Sequence, residues 1–149
     1  MKRLMTDYKI MDKSHIKEMV EIEKLCFNSG FAEKTFLREL ENKIAYYIVS
    51  ETDGKISGYG GIWNVCGASE IIDIAVHPVF RKMGIGQGLL EKLIDFCKKE
   101  DCSEINLEVR ESNIAAQKLY EKLGFIKNGE RKNYYDGKET AILMSLKLK

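Results

Sequence analysis

Apolar positions along this chain recur with two periods, and the change from one to the other marks out the elements. After a short strand pattern at residues 6–11, Ile16, Met19, Ile22 and the pair Leu25–Cys26 fall three or four apart, the spacing of one helix face. Asp12 or Ser14 ahead of them carries the short polar side chain that caps a helix start. "NSGFA" interrupts the pattern, and a second helix is predicted over 33–42 with Phe36, Leu37 and Leu40 on one face. The texture then turns to strand: "IAYYIVS", a hairpin signal in the Asp-Gly of "TDGK", the returning run "ISGYGGIWNV", and "SEIIDIAV" after "CGA". Ile85, Leu89, Leu90, Leu93, Ile94 and Cys97 restore helical spacing to about Lys99. "EINLEVR" alternates strictly, Ile105, Leu107 and Val109 to one side and Asn106, Glu108 and Arg110 to the other. "SNIAAQKLYEKLG" reads as a helix with Ser112 or Asn113 as its N-cap and Gly124 as its left-handed stop. Two strands, near 125–134 and 139–148, close the chain. The predicted order is β-α-α-β-β-β-α-β-α-β-β: a mixed α/β (α+β) sheet protein in a single domain spanning residues 1–149.

The stretch "VHPVFRKMGIGQGLL" stands out because Gly84, Gly86 and Gly88 open a strong helix pattern directly behind Arg81 and Lys82. Unblocked N–H groups at a helix start, with the helix dipole behind them, favour an anion, and glycines let it come close. No Walker A loop is present, and the third glycine is misplaced for a dinucleotide fingerprint. On its own the stretch fits a phosphate cradle and a flexible turn equally well.

Composition narrows the classes. The 149 residues carry a formal charge of +1, with 44% hydrophobic and 32% charged residues. A near-neutral chain is not a general nucleic-acid binder. No apolar run spans a bilayer, and the N-terminus lacks the apolar core of a secretory signal. Cys26, Cys66, Cys97 and Cys102 form no Cys-x-x-Cys pair and His15 and His77 stand alone, so no metal site is expected. The thiols read as reduced, in a cytoplasmic protein.

Three separated segments together resemble one family. "RKMGIG" resembles the Arg/Gln-x-x-Gly-x-Gly/Ala pyrophosphate loop of the Gcn5-related N-acetyltransferase (GNAT) family, and "IIDIAV" and "NIAAQKLYEKLGF" resemble its other signature segments, in the same order. Within it, "LEVRESNIAAQKLYEKLGF" and "RKNYY" resemble the bacterial ribosomal-protein N-terminal alanine acetyltransferases. The resemblance implies acetyl-CoA as donor, and the N-terminal α-amine of ribosomal protein S18 as acceptor. It places the backbone of Ile74, Ala75 and Val76 beside the pantetheine arm. Residues 82–87, that is Lys82, Met83, Gly84, Ile85, Gly86 and Gln87, would lie on the pyrophosphate, with Arg81 at the loop's start and Asn113 also touching the cofactor.

Acetyl transfer to an amine needs a base, donors for the oxyanion and a proton for the departing thiolate. By resemblance Glu108 is the general base and Tyr120 the general acid, and a backbone N–H near Val76 polarises the thioester carbonyl. By pattern alone Glu108 reads as a surface charge and Tyr120 as a core aromatic. Attack is expected to be direct, without an acylated cysteine. Tyr134 and Tyr135 match an aromatic loop that walls the acceptor, although hairpin packing explains them equally; Glu139 either attracts a basic N-terminus or is a solvated charge. The resembling subfamily carries Pro-Trp-Ser between its first two helices, where this chain has Gly30-Phe31-Ala32, so Phe31 is the aromatic left at that acceptor position. Two alternatives stay open: the same chemistry on a small-molecule amine, and an acetyl-CoA-binding module without turnover. The molecule is expected to be a monomer or a weak dimer through its last hairpin.

Overall fold

Two tight turns organise the first half of the sheet. Asp53-Gly54 and Cys66-Gly67 each place two successive residues in the left-handed region (φ 53° and 75°, 51° and 85°), the conformation whose twist suits two-residue hairpins. In the computed structural model, which describes residues 5–27 and 33–149, they join β2 (Ala45–Thr52), β3 (Lys55–Val65) and β4 (Ala68–Val76) into a meander. β1 (Thr6–Ile10) adds to its outer edge. After β4 come α3 (Ile85–Lys99), β5 (Glu104–Arg110), α4 (Ile114–Lys122) and the hairpin of β6 (Ile126–Tyr135) and β7 (Glu139–Lys147). Before β2 lie α1 (Ile16–Cys26) and α2 (Glu33–Glu41). The element order is the predicted one, with short 3₁₀ turns at Lys13–His15 and Pro78–Phe80.

The caps resolve as physical chemistry requires. Asp12 accepts the Ser14 N–H at 2.8 Å and its own N–H donates to His15 Nδ1 at 3.0 Å, so Asp12 caps the turn that feeds α1. Asn113 caps α4 by accepting the Ala116 N–H at 3.1 Å, and Gly124 follows its end at φ 101°. Two predicted core positions lie outside: Leu25 is 57% exposed, because Ile16, Met19, Ile22 and Glu23 form the buried stripe, and Leu40 is 36% exposed on a helix that buries only Phe36.

The seven strands run β1-β2-β3-β4-β5-β7-β6. All neighbours are antiparallel except β4 and β5, which α3 connects as a crossover. On one face, Met19, Ile22, Phe36, Tyr47 and Tyr59 pack under α1 and α2. On the other, Leu89, Leu90, Leu93, Ile105, Tyr120 and Phe125 pack under α3 and α4. Cys97 and Cys102 are buried free thiols in that second core, so the bridge their spacing allows is not made. Among the described residues, no helix is long and apolar enough to cross a membrane.

Candidate active site

The parallel strands β4 and β5 part company early. They pair only at Ala68–Glu104, Ser69–Ile105 and Glu70–Asn106. Beyond that point β4 keeps β3 as its neighbour and β5 keeps β7, so residues 71–76 and 107–110 face an opening. The first residues of α3 and α4 follow the two strands out of it.

The register says which backbone groups the opening receives. The His77 N–H donates to Ser57 O at 2.8 Å, and antiparallel bonding alternates from there. Ala75 and Asp73 therefore turn their backbone groups to β3, while Ile74 and Val76 turn theirs to the open edge. Of the three β4 residues expected beside the pantetheine arm, Ile74 and Val76 turn their backbone to the open edge and Ala75 does not. The Ile74 N–H is held by the Asp73 carboxylate and Val76 O accepts from Arg81 Nε and Cys26 Sγ, which leaves the Val76 N–H on that edge.

The loop behind β4 meets the requirements for an anion. Lys82 and Gly84 adopt φ 63° and 81°. Gly84 is the N-cap of α3 and supplies no side-chain cap; the first intrahelical bond runs from the Gly88 N–H to Gly84 O at 3.0 Å. The N–H groups of Ile85, Gly86 and Gln87 are thus left without helical partners, at the positive end of a 15-residue helix. A Cβ on Gly84 would meet nothing within 4 Å, so the space in front of the loop is open. These features fit a pyrophosphate.

The side chains are less uniform than the motif suggests. Arg81 folds back, its Nε 3.3 Å from Val76 O and its Nη2 3.3 Å from Cys26 Sγ. Met83 is 46% exposed. The Gln87 side chain bridges Glu91 (2.7 Å) and Lys122 (2.8 Å), tying the start of α3 to the end of α4. The Asn113 side chain is taken up by its cap.

Glu108 and Tyr120 approach the opening from opposite faces. On β5, Ile105, Leu107 and Val109 enter the α3/α4 core, which turns Glu108 to the α1/α2 face. Arg131 Nε lies 3.4 Å from Glu108 Oε1, and the same guanidinium sits 5.6 Å from the Tyr134 ring centre. Tyr120 belongs to the α3/α4 core and packs on Phe125 at 5.7 Å. Burial, then the charge of Asp73 and the nearby Tyr135, push its pKa up to about 12, so its hydroxyl keeps its proton. Tyr134 and Tyr135 meet edge to face at 5.2 Å, and Arg110 lies 4.2 Å from the Tyr135 ring centre. Glu139 is engaged structurally, binding Arg110 at 3.1 Å and the Ser112 N–H at 2.9 Å. Phe31, with Gly30 and Ala32, lies outside the described residues.

Three residues absent from the sequence-based reading sit at the opening. Asp73, on β4, accepts the Tyr59 hydroxyl at 3.0 Å. Burial raises its pKa to about 6, with the charge of Glu23 adding to it while the Tyr59 and Ile74 hydrogen bonds oppose. Arg131 is the third, through Glu108. The available signal was the lone acid in the apolar strand "IIDIAV", since a carboxylate there must find partners.

Residues 16–125 match the Acetyltransferase (GNAT) family. A Bacillus subtilis (strain 168) protein provisionally named a [ribosomal protein bS18]-alanine N-acetyltransferase is 42% identical over 131 residues, 87% of each chain. The [ribosomal protein bS18]-alanine N-acetyltransferase of Escherichia coli (strain K12) is 34% identical over 139 residues, 91% of this chain and 93% of that one. The crystal structure of the ribosomal-protein-S18-alanine N-acetyltransferase from Escherichia coli superposes with a TM-score of 0.89 at 33% identity, covering 97% of this chain and 94% of the other. With its opened parallel strands and uncapped glycine loop, this chain is an N-acetyltransferase and belongs to the GNAT family.

Proposed function

We propose that the enzyme transfers the acetyl group of acetyl-CoA to the N-terminal α-amine of ribosomal protein bS18 in the cytoplasm. The observation that carries this reading is the opening between β4 and β5, with Glu108 on one face and Tyr120 on the other. Near-full-length similarity to proteins named for that reaction supports the choice of acceptor.

Residues 82–87 hold the pyrophosphate through the free N–H groups of α3, and the open edge of β4 lies along the pantetheine arm. An α-amine has an ordinary pKa of about 7.7–8.0, against about 10.4 for lysine, so a carboxylate base suffices to prepare it near neutral pH. The amine nitrogen attacks the thioester carbon while Glu108 takes its proton, directly or through one water. The Val76 N–H, on the open edge, donates to the carbonyl oxygen as negative charge builds there. The C–S bond then breaks, and the sulfur leaves with the proton of Tyr120. Arg131 orients Glu108, and Tyr134 and Tyr135 wall the acceptor's side.

The test is CoA release by purified protein with acetyl-CoA and two acceptor sets in parallel: a peptide copying the alanine-first N-terminus of bS18, and a pool of polyamines, amino sugars and amino acids. Mass added at the peptide's α-amine is the expected result. Turnover confined to the small amines would assign the acceptor to that class. Acetyl-CoA binding with no turnover on either set would remove the bS18 assignment.

A further inference from the structure

The two walls of the opening carry one carboxylate each on the same face of the sheet. β5 contributes Glu108. On β4 the register slips at Ile72, because Gly61 pairs with Asp73 but Ile62 pairs with Ile71. The extra residue turns Asp73 and Ala75 away from Ile71, which packs under α3, toward the face of α1 and α2. Donor phosphates bind at the start of α3, on the α3/α4 side, and Tyr120 comes from that side as well. An acceptor that attacks the thioester without colliding with them enters from the α1/α2 face, where both carboxylates lie.

The surroundings of Asp73 are built for a cation. Tyr59, fully buried, donates its hydroxyl to one carboxylate oxygen. Tyr47, 3% exposed, comes from β2, and its ring lies over Gly61, where an added Cβ would fall 2.3 Å from ring carbons. Tyr47 pairs with Gly61 and Gly61 with Asp73, so the ring spans β3 and its hydroxyl is carried toward β4. That hydroxyl completes no close hydrogen bond among the described residues, and it faces the Glu39 carboxylate first and Asp73 second. A buried phenol whose hydrogen is turned to the Glu39 carboxylate keeps its oxygen lone pairs for an N–H donor beside Asp73. Glu23 of α1, also fully buried, adds negative potential from the same face.

Resting on the acetyl-transfer reading, we propose that Asp73, held by Tyr59 and flanked by the Tyr47 hydroxyl, is the residue that receives the acceptor's protonated amine; the ammonium first gives one proton to solvent through Glu108, and Glu108 takes the second as the neutral nitrogen attacks. The ligand class is a primary ammonium. A carboxylate–ammonium contact shielded from water is both strong and directional, and it sets the nitrogen at the mouth of the opening.

The test compares wild type with Asp73→Asn, which keeps the size and the contact with Tyr59 but removes the charge. With the alanine-first peptide as acceptor, KM for the peptide is expected to rise about 10- to 100-fold, while kcat at saturation and KM for acetyl-CoA each stay within about 3-fold. In equilibrium titrations of the CoA-loaded protein, wild type is expected to favour the free-amine peptide over its N-acetylated form by about 10-fold, and Asp73→Asn to lose that preference. A peptide KM within 2-fold of wild type, or a wild type that binds both peptides equally, overturns the proposal. Should Asp73→Asn fail to fold, Tyr47→Phe and Tyr59→Phe carry the same test, and peptide KM unchanged in both overturns it. If wild type acetylates only small amines, the bS18 assignment fails, and the KM split is measured with that amine instead.

Discussion

Burial lifts the Asp73 carboxyl from an ordinary 3.8 to about 6, and this has a consequence for stability. The folded state then holds the proton more tightly than the unfolded chain, so the linkage sign is the reverse of that for a salt-bridged acid. The stability it contributes is full below about pH 4 and is lost as pH rises through about 6, amounting to at most about 3 kcal/mol at pH 7. Asp73→Asn is therefore expected to raise Tm by several degrees at pH 7.5 and to change it little at pH 4, by calorimetry. An equal shift at both pH values would show that burial of the charge is not the cause. A carboxylate that weakens the fold at neutral pH is the pattern expected of a residue kept for the binding role proposed for Asp73. Glu108 and Tyr120 are expected to behave differently from Asp73 in kinetics. Glu108→Gln and Tyr120→Phe each lower kcat by about 10²–10³ with KM for acetyl-CoA nearly unchanged, because a proton-transfer group acts in the transition state. Unaltered turnover in both folded variants would remove them from the chemistry.

At the scale of elements, the glycines that open α3 divide the work between them. Gly84 holds φ 81° in open space, so Gly84→Ala meets no steric neighbour but pays the left-handed penalty of about 1–2 kcal/mol per residue. Relief of that strain turns the loop, and the expected result is at least 10-fold weaker acetyl-CoA binding with a modest loss of stability. Gly88 lies one helical turn further on, where a Cβ would stand 1.8 Å from the Tyr8 hydroxyl oxygen. Gly88→Ala is expected to lower Tm and to leave acetyl-CoA affinity within about 3-fold once folded, and Tyr8→Ala in the same chain to recover part of the stability. Isothermal titration and thermal melts on the three variants separate the two roles. If Gly88→Ala weakened acetyl-CoA binding as much as Gly84→Ala, the whole triplet would belong to the anion loop. The sequence pattern left this stretch evenly between an anion cradle and a flexible turn, and it could not tell a backbone requirement from a packing one, because only β1 laid against α3 brings Tyr8 there.

For the molecule as a whole, what was legible depended on how local its cause was. Periods of two and 3.6, hairpin glycines and caps are local, and they placed every strand and helix in order. The face that Glu108 takes was legible because strict alternation in "EINLEVR" survives in the folded β5, whereas its expected role came from the family resemblance. Asp73 was not, because strict alternation would put it with Ile71 in the α3 core, and the slip at Ile72 that turns it over exists only through pairing with β3. Arg131 reaches Glu108 only across β7, a relation between distant segments. The sheet itself is two antiparallel pieces joined by three parallel residue pairs, and a donor held in the opening, as proposed, would bridge them. Binding confined to the native state stabilises it by RT ln(1 + [L]/Kd), about 2.7 kcal/mol at 100 times Kd, so Tm is expected to climb with acetyl-CoA concentration. Amide hydrogen exchange reads the same event residue by residue. The Ala75 N–H faces Tyr59 within the β3–β4 ladder and is expected to exchange slowly with or without ligand. The Val76 N–H, on the open edge, is expected to exchange faster in the free enzyme and to become protected when acetyl-CoA binds, while the Ile74 N–H, held by the Asp73 carboxylate, starts slower. Protection that spread evenly over 74–76, or that appeared only in α3, would mean that the donor does not lie along the free edge of β4, and the oxyanion role of the Val76 N–H would fall with it.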